Sequence, residues 1–537
     1  MPRFIGLLIN QLLAAFVFTF FLMVLILLLN PGTPVTLADR GILFLLLLVF
    51  YGPIWFGFLA AVFTVSQFFA EREYPIGFLD PPTPVFFLSF TVLAISAVTF
   101  ANYEYYLDFF GAAVKWQFYR FFLVQSLILV AAAIFLSSRG VLKRWAHATF
   151  LLLLVVGMTV SFLWIPNREK PARPAHSLPE PLMAPLRKVR LVVMDGLSLN
   201  YLLSRPAESK LLNFEWLLDN GVRCRLSTYR PNSTLSLLGS ALSGSRPTEF
   251  TRHSEAQFAF RGLGYVFDIA PRYLLFRSSA RVGLTDFFSQ TVTPPNRMGA
   301  AYAAAGGQTF QILGAQFPPP YIERDLKNNN GFVQFFAPTL ERIDPKFRIL
   351  KRAFFADDYI RHQIPELKNL PGGFCVAYLP GLDTVTTYFY HYSRPQLFGH
   401  IDEEEVERYG PWLDKYYEYY DSVLGNLIST TGDGEMLAIL SLYEVEPLPV
   451  WRRMIVNLAG AEDVFVYRPT RSPALLLLYE KDAVRRGAIL DASIGDIFPT
   501  LMYYGGFALP RDVRGEVLQD AFTDAFVTAN PIQVQSN

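Results

Sequence analysis

The chain has 537 residues, of which 52% are hydrophobic and 15% aromatic, more apolar material than one soluble core absorbs. Its 47 Lys and Arg nearly balance its 46 Asp and Glu, so no overall field recruits nucleic acid or an acidic substrate. The two cysteines, Cys224 and Cys375, lie in short apolar runs without metal-type spacing and are expected as buried thiols rather than a disulfide.

From Phe4 to Leu29 the sequence is almost unbroken Leu, Phe, Ile, Val and Ala, longer than the roughly 20 residues that cross a bilayer core. Similar stretches at 41–70, 84–101, 118–137 and 147–165 predict a transmembrane domain of about five helical spans over 1–165. The first run is too long for a cleaved signal peptide, and no small-residue cleavage site follows it. The loop with Arg139, Lys143 and Arg144 is the most basic between spans, which places it in the cytoplasm. An odd number of spans then puts the C-terminal part outside, although Arg168, Lys170 and Arg173 after the last span pull the other way. The expectation is an integral protein of a bacterial-type inner membrane with a periplasmic or extracellular domain. The spans carry too few ionisable residues for a transporter, and Lys115 and Arg120 lie near a span's start, where snorkelling suffices.

Residues 166–188 are proline-rich and aperiodic, and read as a stiff linker. Val189 to Met194 is then a short β-branched run ended by Asp195-Gly196, the pattern of a buried strand that delivers a side chain from its carboxyl end. Further strands are expected at 222–228, 308–314, 374–379, 437–442 and 474–479, separated by helical or loop-like sequence. This alternation predicts an α/β domain over 189–537, a mostly parallel sheet with helices on both faces. Residues 248–370, rich in Phe, Tyr and Arg and containing PPPYIERDLKNNNGF, are expected as a cap or an insert with its own core.

Ligands on such sheets collect at the carboxyl ends of the strands. Three segments answer that description: LVVMDGL with Asp195, PNSTLSLLGSALSGSRP with Thr234 at the start of a helical run, and CVAYLPGLD with Asp383. Each alone is weak, since an Asp or a hydroxyl at a helix start is an ordinary cap. Together with EPLPVWRR at 446–453 and GDIFPTLMYYGGFALPRDVRGEVLQDAF at 495–522, they resemble the sulfatase-like type I phosphodiesterase and nucleotide pyrophosphatase branch of the alkaline phosphatase superfamily. The resemblance covers most of 189–525.

Active relatives in that family hold two divalent metals, zinc or manganese, that polarise a phosphoryl group attacked by a Thr or Ser. By motif, Thr234 matches the nucleophile, and Asp195 and Asp383 match two ligands. The other ligand positions are lost: Thr387 and Tyr467 stand where histidines are expected, and Leu442-Tyr443 replaces the Asp-His pair. The chain has 6 histidines and none after His400, where two of the missing ligands belong. His391 is too far along its helix from Asp383 to share an ion, while Glu444 and Asp433 are the remaining nearby acids. Without a cation, Asp195 and Asp383 would raise each other's proton affinity unless an Arg or Lys had moved in.

Two functions follow. The favoured one is a catalytically degenerate, membrane-anchored phosphodiesterase-like protein acting in binding or scaffolding at the cell envelope, with no cofactor. The alternative is an active phosphoryl or sulfuryl hydrolase, or a phospholipid-headgroup transferase, using Thr234 and two divalent metals. Expected partners are the lipid bilayer and a membrane protein, an envelope glycan or a lipid headgroup, and no nucleic acid.

Overall fold

The structure is a computed structural model. It describes residues 2–69, 82–164, 177–204, 211–250, 256–289 apart from 273 and 275, 294–313, 344–399, 401–450, 465–469 and 473–535, together with 332, 335, 336 and 453. The chain divides into two compact units, Met1–Arg173 with Thr251–Gln290, and Pro174–Phe250 with Thr291–Asn537.

The first unit begins with five helices, α1 (Pro2–Leu29), α2 (Leu37–Phe69), α3 (Pro82–Tyr105), α4 (Ala112–Ser137) and α5 (Gly140–Leu163). All five are long and apolar enough to cross a membrane. In α1, 78% of the apolar window is buried within the structure, against 28–39% in the other four. A helix that is hydrophobic all round belongs at the centre of a bundle, and α1 accordingly packs against α2 and α3, while its neighbours leave apolar faces for lipid.

The chain then builds the second unit with β1 (Glu180–Pro181), β2 (Lys188–Met194), α6 (Leu199–Ser204), α7 (Leu212–Asn220), β3 (Val222–Ser227) and α8 (Thr234–Ser243). It returns to the first unit for β4 (Ala256–Phe260), β5 (Val266–Phe267) and β6 (Thr285–Ser289), a small antiparallel sheet of order β5-β4-β6. The rings of Phe258, Phe260, Phe267 and Phe276 are buried in one core with the helices. Asn30, just past α1, fastens this sheet: its Oδ1 accepts from the Asp268 and Ile269 N–H groups at 2.9 and 2.7 Å, and its Nδ2 donates to the Ile269 carbonyl at 2.8 Å. Asn102 does the same from α3, accepting from Arg272 N–H at 2.7 Å and donating to the Arg272 carbonyl at 3.0 Å.

The second unit resumes with α9 (Arg297–Ala304), β7 (Gln308–Ile312), α10 (Pro345–Gln363), β8 (Gly373–Leu379), α11 (Gly381–Ser393), α12 (Glu403–Tyr409) and α13 (Pro411–Thr430). It ends with β9 (Glu435–Ser441), β10 (Glu446–Pro447), β11 (Val466–Tyr467), β12 (Ala474–Tyr479), β13 (Ile489–Ser493), α14 (Ile497–Gly505) and β14 (Phe507–Ala508). The main sheet has seven strands in the order β13-β3-β12-β9-β2-β8-β7. β2 and β9 are buried over almost their whole length, as uninterrupted apolar runs require when both faces are covered. Val189, Leu191 and Val193 of β2 enter a core with α8, α9 and α14, while Val192 and Met194 enter the opposite core with α7, α10, α11 and α13.

The sheet is mostly parallel, with four parallel pairings, and is mixed because β12 runs antiparallel to both β3 and β9. Two expectations change. Residues 248–370 do not form one cap: 256–289 joins the helical bundle through its Phe-rich face, β7 extends the main sheet, and α10 packs against α11 and β8. PPPYIERDLKNNNGF lies outside the described residues except for its last, Phe332, which is buried. Of the linker 166–188, the part from 177 is tied to the second unit by β1, which pairs with β14, and the part before it lies outside the described residues. Cys224 and Cys375 are free, buried thiols on β3 and β8.

Candidate functional site

The carboxyl edge of the sheet gathers the chain's distinctive polar residues because β2, β8 and β9 are parallel and end together. Met194 pairs with Leu379 and Val193 with Leu440, so the segments that leave these strands, 195–196, 380–383 and 442–444, are neighbours. Asp195 is completely buried. Its Oδ2 accepts the Tyr378 hydroxyl at 2.8 Å and its Oδ1 accepts the Leu442 N–H at 3.2 Å. Gly196 turns the chain away with φ +85°, and a Cβ there would stand 2.7 Å from the Asp383 N and Cα. Only glycine lets the two Asp-bearing segments approach this closely.

Asp383 lies in the first turn of α11, and the entry to that helix is fixed by a buried acid. Asp357 of α10 accepts the Gly381 N–H at 3.0 Å and the hydroxyls of Tyr416 and Tyr420 at 2.8 and 2.7 Å. A Cβ on Gly381 would fall 2.1 Å from the Tyr416 oxygen and 2.2 Å from Asp357 Oδ2, so this position also admits only glycine.

Arg468 completes the cluster. Its guanidinium forms an ion pair with Asp383 and lies 4.1 Å from the centre of the Tyr443 ring. The antiparallel course of β12 brings it here: Leu475 pairs with Ser441 and Ala474 with Leu226, so β12 enters from the edge at which β9 and β3 end. Residues just before β12 are therefore delivered to the carboxyl edge. Burial, reinforced by the charge of Asp383, pushes the Asp195 carboxyl up to about 6, while Tyr378, Arg468 and the Leu442 N–H oppose the rise. Burial also raises the Asp383 carboxyl, with the Arg468 charge pulling it back. A cation in place of a metal was one of the two outcomes the facing carboxylates allow, and its identity was not legible from motif spacing.

The other candidates are placed as follows. Thr234 is the first residue of α8, half-buried, with Ser233 in the capping position. The Asn232 amide, two residues earlier, donates to the Pro469 carbonyl, which ties this helix start to the segment that carries Arg468. Thr387 lies on α11. Leu442 and Tyr443 are completely buried where an Asp-His pair is expected. Tyr467 sits on β11 opposite Glu446, to which its hydroxyl donates at 3.3 Å. Glu444 accepts from the Leu199 N–H at 3.0 Å and from Asn200 Nδ2 at 3.1 Å, and so caps α6. Asp433 is exposed, 3.6 Å from Lys481. His391 is stacked on Phe465 with ring centres 3.7 Å apart, and burial pushes its imidazole down to about 3.

No family model and no curated protein matches the chain. Solved structures do overlap it. Murine ectonucleotide pyrophosphatase/phosphodiesterase 5 aligns at 12% identity and TM-score 0.35, over 63% of this chain and 100% of its own. Phosphonate monoester hydrolase SpPMH from Silicibacter pomeroyi aligns at 14% identity and TM-score 0.35, over 65% and 78%. The C-terminal periplasmic domain of EcEptC from Escherichia coli aligns at 14% identity and TM-score 0.30, over 63% and 87%. Overlap at this level leaves the chemistry of the edge to be read from its own residues.

The two-metal centre of alkaline phosphatase-like enzymes can be tested against those residues. Catalytic zinc takes three protein ligands, usually from His, Asp, Glu or Cys. Here one Asp has both carboxylate oxygens in hydrogen bonds, the other is paired with a guanidinium, and Leu442 and Tyr443 fill the space of further ligands. Among the described residues no three His, Cys, Asp or Glu side chains converge as a metal-binding group. The donor set does not fit two divalent ions. The arrangement can hold charge without them: a buried acid, an ion pair and an aromatic ring share one edge of the sheet.

Proposed function

We propose that the protein is a membrane-anchored phosphodiesterase-like domain whose metal-binding edge has been rebuilt as a charge cluster, and that it acts in binding or scaffolding at the outer face of a cell membrane. The observation that carries this reading is the Arg468 guanidinium paired with Asp383 beside the buried Asp195. A cation that is part of the chain compensates the two carboxylates permanently, so an exchangeable ion gains little by entering. A membrane protein, an envelope glycan or a lipid headgroup is the class of partner that this architecture suits.

A second reading, a hydrolase or headgroup transferase with Thr234 as nucleophile, draws on the position of Thr234 at the start of α8, partly accessible and followed by a helix that favours anions at its N-terminus. One experiment separates the two. Detergent-purified protein is analysed for metal content and assayed on bis-p-nitrophenyl phosphate beside Thr234→Ala. Trace metal and no turnover are expected. About one or two equivalents of zinc or manganese per chain, with turnover abolished by the substitution, would overturn the binding reading in favour of two-metal catalysis.

A further inference from the structure

Away from the sheet, the first unit holds a cavity of about 580 Å³ between α4 and α5. That volume falls in the roughly 300–1,000 Å³ range of small-molecule sites. Leu123 and Leu127 of α4 and Val156 and Val160 of α5 line it, and the first three of these are substantially exposed. Gly157 brings the helices together along it, since a Cβ there would stand 2.8 Å from Val124 Cγ1.

One end of this apolar groove is charged. The Arg120 guanidinium carbon lies 5.3 Å from the Trp116 ring centre and 5.2 Å from that of Trp164, and both indoles are exposed. Among the described residues Arg120 has no acidic partner within ion-pair distance. Because α4 begins at Ala112 and α5 ends at Leu163, Arg120 and Trp164 meet at one end of the helix pair, about 12 Å along α4. Tryptophans at that depth mark a membrane interface. An arginine there, held by two aromatic faces and without a carboxylate partner among the described residues, can snorkel to water or take an anion at the interface.

We propose that this groove binds an anionic phospholipid, with its phosphate on Arg120 between Trp116 and Trp164 and an acyl chain along Leu123, Leu127, Val156 and Val160. A guanidinium presents paired N–H donors to a phosphate diester, and the groove supplies the apolar length that a free phosphate lacks. An apolar helix of a partner protein would fill the groove but leave the guanidinium uncompensated. A zwitterionic lipid brings its own cation against Arg120, so net negative charge is favoured. The proposal is independent of whether the α/β unit is an enzyme.

The test is a native mass-spectrometric titration of full-length, delipidated protein with dioleoylphosphatidylglycerol and, separately, dioleoylphosphatidylcholine. The first equivalent of phosphatidylglycerol is expected to bind about five- to tenfold more weakly to Arg120→Gln than to the parent chain, with phosphatidylcholine little changed. Arg120→Lys should retain most of the preference, which separates lost charge from lost fold. Val156→Phe, which occupies the groove, should weaken both lipids. Unchanged phosphatidylglycerol binding in Arg120→Gln and Val156→Phe would overturn the proposal, as would equal weakening of both lipids in Arg120→Gln, or displacement of the lipid by a co-purifying protein.

Discussion

Asp195 is sealed from water, and the nearest cation acting on it and on Asp383 is Arg468, a residue that also reaches solvent. Removing one partner of such a pair strands the other charge, at about 3–5 kcal/mol when burial is complete. With a side chain of which 41% is exposed, Arg468→Ala is expected to destabilise the α/β unit by about 1–3 kcal/mol, since solvent screens part of the interaction. The loss should be larger at pH 8, above the raised value of Asp195, than at pH 5, and thermal unfolding at the two pH values measures the difference. Gly381→Ala makes a harsher demand, because its methyl group has no room against Tyr416 and Asp357. The expected result is loss of the folded unit, read as rapid proteolysis of 345–430, whereas near-normal protease resistance would mean that the α11 entry can shift. At this scale the motifs singled out both aspartates, which the structure places beside each other at the carboxyl edge of the sheet. The sequence reading stopped one residue short of the cation, because Tyr467 took the motif register and Arg468 the geometry.

The elements behave according to how local their causes are. Long apolar helices and fully buried strands declare themselves, because composition and length within a single stretch decide them. The sheet β4–β6 does not, since its Phe-rich face is equally suited to a cap over the α/β unit. Its place is decided by partners some 240 residues away, above all Asn30, whose side chain makes three hydrogen bonds to the backbone of 268–269. Asn30→Leu removes these and leaves the Ile269 N–H and carbonyl unsatisfied, at about 1–3 kcal/mol for each buried group. Faster amide hydrogen exchange across 256–289, with the exchange of β2 and β9 unchanged, is the expected signature. Protection equal to that of the parent chain would show that the aromatic core alone holds the sheet.

For the whole molecule, the buried acids set a pH dependence. Burial pushes Asp195 up to about 6 and Asp357 up to about 7, from an ordinary value near 3.8. The folded chain therefore keeps protons that the unfolded chain releases, so their stabilising contribution is complete below about pH 4 and lost as pH rises to about 7. His391 acts in the other direction, because the folded chain refuses a proton that the unfolded one takes up below about 6.5. Across pH 6 to pH 8 the loss from the two acids outweighs what His391 still returns as its unfolded imidazole deprotonates, and the apparent melting temperature in detergent should fall over that interval. Asp357→Asn, a mimic of the protonated acid, should flatten the fall, and an unchanged slope would mean that Asp357 does not titrate there.

Composition and periodicity by themselves determined that the chain carries five helices long and apolar enough to cross a membrane and that an α/β domain follows, and the motifs singled out Asp195 and Asp383, which lie just past strand ends. These properties are written in contiguous residues, where a backbone in lipid or between two helical layers has few alternatives. The tertiary structure alone decided that β12 runs antiparallel, that 256–289 returns to the helical bundle, and that an arginine faces the two aspartates. Each of these depends on contacts between residues far apart in the chain, whose free energies are comparable for several arrangements until the whole core is assembled.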